Sequence, residues 1–513
     1  MKKNISFYLL LALSMSALAQ VAPITHPAIG TKAYSADSTF CIELIGKKQY
    51  YAPTETATAD KDINSPKSVN MHPNGTKYYV NSLEGATTVV YDFKTNQKLK
   101  VIRHEFTEAD TVLLMGAKPY YEFTHHLPDA KHPVSGFGGW GAFYGKPVES
   151  AFTHGGRYLW IPYYRRSYDL NAQDPSAVAI IDTETDSIIR LMDTGPLPKM
   201  IACSHDGRHI AVSHWGDNTV GIISTDGDDP TKWTYEKLHV IDYQLKLNYS
   251  LTAEVNRDVN SGYTLRGTVF TPDDHYLLVG CMGGGGGIAV IDMQQKQYLG
   301  RVLGMRSNIR HLIIKDGWLY LSSNAAGVIQ RMRLDTFLEA AGRMTNHTAT
   351  ARGWEECAVM GGARTIEASP SGRFLFAACN TGSRLCAVDT RQMKMVASIA
   401  CDSYPVGLDI SADGQYVIVT SQGRKHAGGN AVNIYQVRYA EPEQLPASER
   451  EAATAVVESD DSIHAHDEAP VDAATDDEGI PPLLLFGGIG LAVLVAGIVW
   501  WKLKGSEREV KGK

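Results

Sequence analysis

Residues 365–400 read TIEASPSGRFLFAACNTGSRLCAVDTRQMKMVASIA, and four short strands can be read off them directly. Thr365-Ile366-Glu367-Ala368 leads into the turn Ser371-Gly372, and Arg373 to Cys379 returns from it. Leu385 to Val388 forms a third strand closed by Asp389, and Met395 to Ala400 forms a fourth. Alternating or continuous apolar runs bounded by Gly, Ser and Asp are the pattern of strands joined by tight turns.

The same grammar recurs along the chain. An apolar run meets a two-residue turn and a second apolar run seven times, at Asn74-Gly75, Gly155-Gly156, Asp206-Gly207, Asp273-Asp274, Asp316-Gly317, Ser371-Gly372 and Asp413-Gly414. Such pairs are the strongest short-range hairpin signal, and the expectation is that both turn residues take φ > 0. The first copy runs in parallel with the best one: Val69 to Met71, Lys77 to Asn81, Thr88 to Asp92 and Lys98 to Ile102. An Asp closing the third strand recurs as Asp92, Asp182, Asp292, Asp335 and Asp389, where its side chain can bond the next backbone amides. Four-stranded units repeating every 40–50 residues predict an all-β protein, a seven-bladed β-propeller over residues 38–439. The seventh copy lacks a fourth strand after Tyr439, and Phe40 to Ala52 alternates enough to supply it and close the ring. Two stretches interrupt the repeat, a long insertion at 106–146 and a shorter one at 225–262.

The flanks carry different signals. Lys2 and Lys3 precede an apolar stretch and Ala17-Leu18-Ala19, so residues 1–19 read as a secretory signal peptide. Residues 440–480 are rich in Asp, Glu, Ala and Pro and lack aromatics, a composition expected of a disordered acidic tether. Residues 481–501 are apolar enough for a transmembrane helix, and the basic tail 502–513 belongs on the cytoplasmic side. The expected location is therefore the cytoplasmic membrane, single-pass, with the propeller facing the periplasm or cell exterior. Of the seven cysteines, Cys379 and Cys386 flank Gly382-Ser383 and are candidates for a cross-strand disulfide in marginal geometry. Cys203, Cys281 and Cys401 read as small buried hydrophobes.

The segments Tyr78-Tyr79-Val80-Asn81-Ser82, Ala289-Val290-Ile291-Asp292 and Ser369-Pro370-Ser371-Gly372 resemble the repeat of the YVTN, or YncE-like, β-propeller family. The resemblance covers about residues 40–439 and implies an exported seven-bladed propeller. It implies little about chemistry, since most members have no assigned reaction.

The turns also serve as a ruler. Eight residues before the second turn residue of each copy stand Lys67, Val148, Lys199, Arg266, Ile309, Arg364 and Val406, with Arg310 beside Ile309. This position begins the innermost strand, near one mouth of the central channel. Convergent cations at Lys67, Lys199, Arg266, Arg310 and Arg364 would form a site for an anion. The competing reading is structural, with these side chains bonding carbonyls of neighbouring blades. A second candidate is a loop surface for a ligand or partner: His125, His126, His132 and Trp140 of the insertion, with His154, Tyr163, Tyr164, Arg165 and Arg166 soon after. The spacing of His125, His126 and His132 matches no strong zinc signature, and no metal or cofactor motif is evident. Gly283 to Gly287 is read as a hairpin loop and not a phosphate loop, because no Lys-Ser/Thr follows it.

The leading functional expectation is a membrane-anchored binding or scaffolding module for an anionic small molecule or an envelope protein. The alternative is an extracytoplasmic enzyme, a lactone hydrolase or a dehydrogenase-subunit-like propeller, which rests on fold analogy. The net charge of −7 argues against nucleic acid as a partner.

Overall fold

In the computed structural model, residues 24–50, 57–114, 143–166, 176–245, 260–423 and 428–440 are described. The signal peptide, the transmembrane segment, the basic tail and all of the tether except Ala440 lie outside them, as do His125, His126, His132 and Trp140. Among the described residues, no helix is long and apolar enough to cross a membrane.

Seven sheets, antiparallel in their blade strands, follow one another along the chain. Blade 1 runs Pro66–Met71, Lys77–Ser82, Thr87–Asp92, Lys98–Arg103, each strand bonded to the next. Blade 2 comprises Ala151–Thr153, Tyr158–Arg166, Ser176–Asp182 and Ser187–Thr194, with Phe143–Pro147 from the insertion extending its inner edge. Blades 3 and 4 are built from 198–240 and 265–303, and blade 6 from 363–400. Blade 5 departs from the plan: the helix Leu334–Ala341 is inserted before its fourth strand, Glu355–Ala358. Asp335 therefore lies in the first turn of that helix and does not close a strand. The other four Asp residues do close third strands, and each accepts a backbone N–H: Asp92 from Thr95, Asp182 from Glu184, Asp292 from Gln295 and Asp389 from Arg391.

Blade 7 takes its outer strand from the start of the chain. Phe40–Gln49 pairs antiparallel with Ala431–Tyr439, from Phe40 opposite Tyr439 to Gln49 opposite Ala431. Joining the two ends of the chain in one sheet leaves no open first or last blade. Side chains also tie neighbouring blades around the ring. Ser68 Oγ donates to the Val148 carbonyl (2.6 Å), Thr365 Oγ1 to the Val406 carbonyl (2.7 Å), and Thr420 Oγ1 to the Lys67 carbonyl (3.0 Å). The core lies between blades. Phe374, Phe376 and Leu385 of blade 6 pack with Leu408, Val417 and Tyr435 of blade 7 and with Phe40 and Ile42 of the closing strand.

The turns correct one expectation. In five of the seven only the second residue has φ > 0: Gly75, Gly207, Asp274, Gly372 and Gly414. Gly75, Gly207 and Gly414 donate back three residues, to the carbonyls of His72, Ser204 and Ser411, as in type I turns closed by a left-handed residue. The first turn residue is held by its own side chain, which accepts a forward N–H, as Asn74 does from Thr76 and Asp413 from Gln415. Both residues are left-handed only in Gly155-Gly156 and Asp316-Gly317. All seven cysteines are free thiols. Cys379 stands opposite Arg384 and Cys386 opposite Ala377, an offset that leaves their sulfurs 3.7 Å apart.

Candidate functional site

Six of the seven inner strands begin with the same local device. A residue in left-handed backbone precedes each start: Ser65, Leu197, Thr264, Asn308, Gly362 and Tyr404. The carbonyl of each accepts the backbone N–H of the residue that follows the second strand, from Leu83 on Ser65 to Gln422 on Tyr404. Two residues later the strand bulges. The ladder shifts between Pro66 and Val69, Pro198 and Met200, Leu265 and Thr268, Ile309 and His311, Ala363 and Ile366, and Pro405 and Gly407. Bulges re-aim the side chains they contain, and these contain Lys67, Lys199, Arg266, Arg310, Arg364 and Val406. The next position is small in four blades because neighbouring strands meet there. A Cβ on Gly407 would stand 2.5 Å from the Lys67 carbonyl, and one on Gly267 would stand 2.8 Å from the Leu312 nitrogen.

Five blades therefore aim a cation at one place, which their electrostatics record. Lys67 is held well below the ordinary lysine value of 10.5 by burial first and then by Arg364, Arg266 and Lys199. Lys199 is lowered in the same way, by burial and then by Arg266, Arg364, Arg165 and Arg310. Burial and the other guanidinium groups also lower Arg310 and Arg364, although an arginine stays charged in a protein. Lys67, Arg266 and Arg364 are buried, while Lys199 and Arg310 are half-buried.

Counter-charge is scarce. Glu149 pairs with Arg266 at 2.9 Å. It is the only carboxylate among the residues at the bulge position and the position after it in the seven blades. Among the described residues, no hydrogen bond reaches the ammonium of Lys67 or the guanidinium groups of Arg310 and Arg364, and the buried Nε atoms of Arg266, Arg310 and Arg364 have no acceptor.

The rim is uneven. Six residues after the first residue of each second strand stand Leu83, Tyr164, Trp215, Met282, Asn324, Asn380 and Gln422, so at this position blades 2 and 3 alone present aromatic rings. The Lys199 ammonium lies over both of them, 3.4 Å from the Tyr164 ring centre and 4.9 Å from that of Trp215. Among the described residues, the buried Trp215 indole N–H has no acceptor. Arg165 stacks on the same Tyr164 ring at 4.7 Å.

The second predicted set does not stay together. Tyr163 is fully buried, bonded to His104 Nδ1 at 2.9 Å and packed on Phe106 and Phe143, so it belongs to the core. His154 sits in the turn at the other end of the inner strand, stacked on Trp233 with ring centres 5.0 Å apart. Tyr164 and Arg165 join the basic set. Arg166 ends its strand, and its side chain lies outside the described residues.

Three residues were missed by sequence reasoning. Glu149 stands one place beyond Val148 on the ruler and was legible there. Tyr404 enters through its left-handed backbone, which nothing in its residue type announces. His311 follows Arg310; its Nδ1 lies 2.9 Å from the Ile366 carbonyl, and burial lowers it to about 4. Among the described residues, no group of three or more His, Cys, Asp or Glu side chains could hold a metal ion.

This geometry defines the class: a seven-bladed β-propeller of four-stranded blades. No family model and no curated protein matches the chain. Among solved structures it is similar to Kuenenia stuttgartiensis hydrazine synthase, at 14% identity and a TM-score of 0.50, over 75% of this chain and 99% of that one. It is also similar to the β-propeller domain of Myceliophteria thermophila Cps50 (Swd1), at 11% identity and a TM-score of 0.47, over 73% and 96%. At these identities the likeness concerns the fold alone.

Proposed function

We propose that this chain is a binding module that captures an anionic ligand at the basic mouth of its propeller. One observation carries the reading: five cations from five blades converge with a single carboxylate among them. Lys67, Arg310 and Arg364 are gathered there without a hydrogen-bond partner among the described residues; burying such charges costs several kcal/mol per group unless something compensates them, and an anion arriving from solvent would do so. The rest of the proposal rests on sequence pattern. The propeller is exported, similar in its repeat motifs to YncE-like proteins, and held at the outer side of the cytoplasmic membrane by residues 481–501. The enzymatic alternative has less to stand on, because Glu149 is committed to Arg266 and the His311 ring nitrogen Nδ1 to the Ile366 carbonyl.

The test is calorimetric titration of the purified protein with citrate and pyrophosphate, in the wild type and in the Arg310→Gln/Arg364→Gln variant. Binding in the wild type that weakens at least tenfold in the variant, a loss of about 1.4 kcal/mol, supports the reading. A folded wild type that binds neither anion overturns it.

A further inference from the structure

Glu149 is the exception within the basic ring. It stands where the other blades carry Ser68, Met200, Gly267, His311, Thr365 and Gly407. Its side chain reaches Arg266 and lies close enough to Lys67, Arg364 and His311 to bias the charge state of each. A tethered carboxylate at this place is an internal copy of the group that the ring is built to meet. Its contact with Arg266, Oε1 to Nη2 at 2.9 Å, is the geometry of an arginine–carboxylate pair.

We propose that Glu149 acts as a built-in competitor, so that the mouth selects ligands bearing two or more negative charges over monoanions. This rests on the anion-binding reading above. A monoanion must contend with Glu149 for Arg266 and brings one charge to a ring that holds four further cations on other blades. The tether gives Glu149 a high local concentration, which a weak single contact does not overcome. A di- or trianion can engage the half-buried Arg310 and Lys199 and still offer charge to the buried Lys67 and Arg364. It gains from several blades at once what a monoanion gains from one. Carboxylates and phosphates share this chemistry, and the probes separate them.

The experiment titrates the full-length protein in detergent with acetate, citrate, inorganic phosphate and pyrophosphate, at one pH and one ionic strength. The wild type is expected to bind citrate, pyrophosphate or both at least about tenfold more tightly than acetate, a difference of 1.4 kcal/mol. Preference for citrate marks a polycarboxylate, and preference for pyrophosphate a phosphoryl ligand. In Glu149→Gln the gap to acetate should shrink at least about threefold, with acetate gaining most. Glu149→Ala repeats the test if the glutamine variant melts early, and the wild-type comparison needs no substitution. Acetate binding as tight as citrate in the wild type, or an unchanged ratio in both variants, overturns the competitor role while leaving the anion site standing. Failure of every probe overturns the anion site itself.

Discussion

Two groups of buried cations in this propeller are treated in opposite ways. At the seam where the closing strand meets blade 7, Lys47 is almost fully enclosed and lies 2.9 Å from Asp402, whose side chain is wholly buried. Asp402 also bonds Gln49 Nε2, Asn433 Nδ2 and His26 Nδ1, and the Lys47 ammonium donates to the Pro27 carbonyl. In the basic set, Lys67, Arg310 and Arg364 are given no such partners among the described residues, and they lie among other cations. Where a charge holds the fold together, the fold supplies its counter-ion. Where cations are gathered without one, the fold gives up stability, and the proposed anion would repay it.

The largest expected effect breaks the seam. Asp402→Ala leaves Lys47 buried and unpaired, and should cost about 3–5 kcal/mol in denaturant unfolding. A loss below about 1 kcal/mol would mean that the seam charges are dispensable, and the contrast would fail. The next effect runs in the other direction. Arg364→Gln relieves like-charge repulsion, so the unliganded protein should keep its stability or gain up to about 1 kcal/mol, while citrate or pyrophosphate binding weakens at least tenfold. A drop of 2 kcal/mol or more, on the scale of a buried group left unpaired, would return Arg364 to a structural role.

Protonation sharpens the comparison further. The mouth lysines are depressed in the folded protein, so the unfolded chain binds more protons between their folded values and 10.5. Stability should therefore rise with pH across that window. A bound anion restores their protonation, so anion affinity should fall over the same rise in pH. Lys67→Met should flatten both slopes, as read by melts and titrations at several pH values. The smallest effect sets the scale. Lys146 and Glu84 pair at 2.7 Å in exposed positions, and Lys146→Ala should change stability by less than about 1 kcal/mol.

Much of this comparison was legible in the chain, and the failures have physical causes. The ruler found the cations because an inner strand has a nearly constant length, and it slipped only in blade 5. There Lys315 pairs directly with Trp318 across a two-residue turn, whereas Met71 pairs with Tyr78 across six residues. The equivalent position moves from Ile309 to Arg310. The turns were counted correctly and typed wrongly, because a forward bond from an Asn or Asp side chain holds the first residue in ordinary helical backbone. Tyr163 and His154 looked like one surface with Tyr164 and Arg165, because adjacency in sequence hides which face of a strand a residue takes and which end of it a turn occupies.

The amino-acid sequence by itself determined the seven units, their four strands and the need for an early segment to complete the last one. Those are local matters, governed by apolar alternation and by turn chemistry within a few residues. The tertiary structure decided which charges keep company. Lys67 and Arg364 are nearly 300 residues apart, and only closure of the ring brings them within reach of one another. Whether a cation is paired depends on neighbours from other blades, and no property of a single strand contains that information.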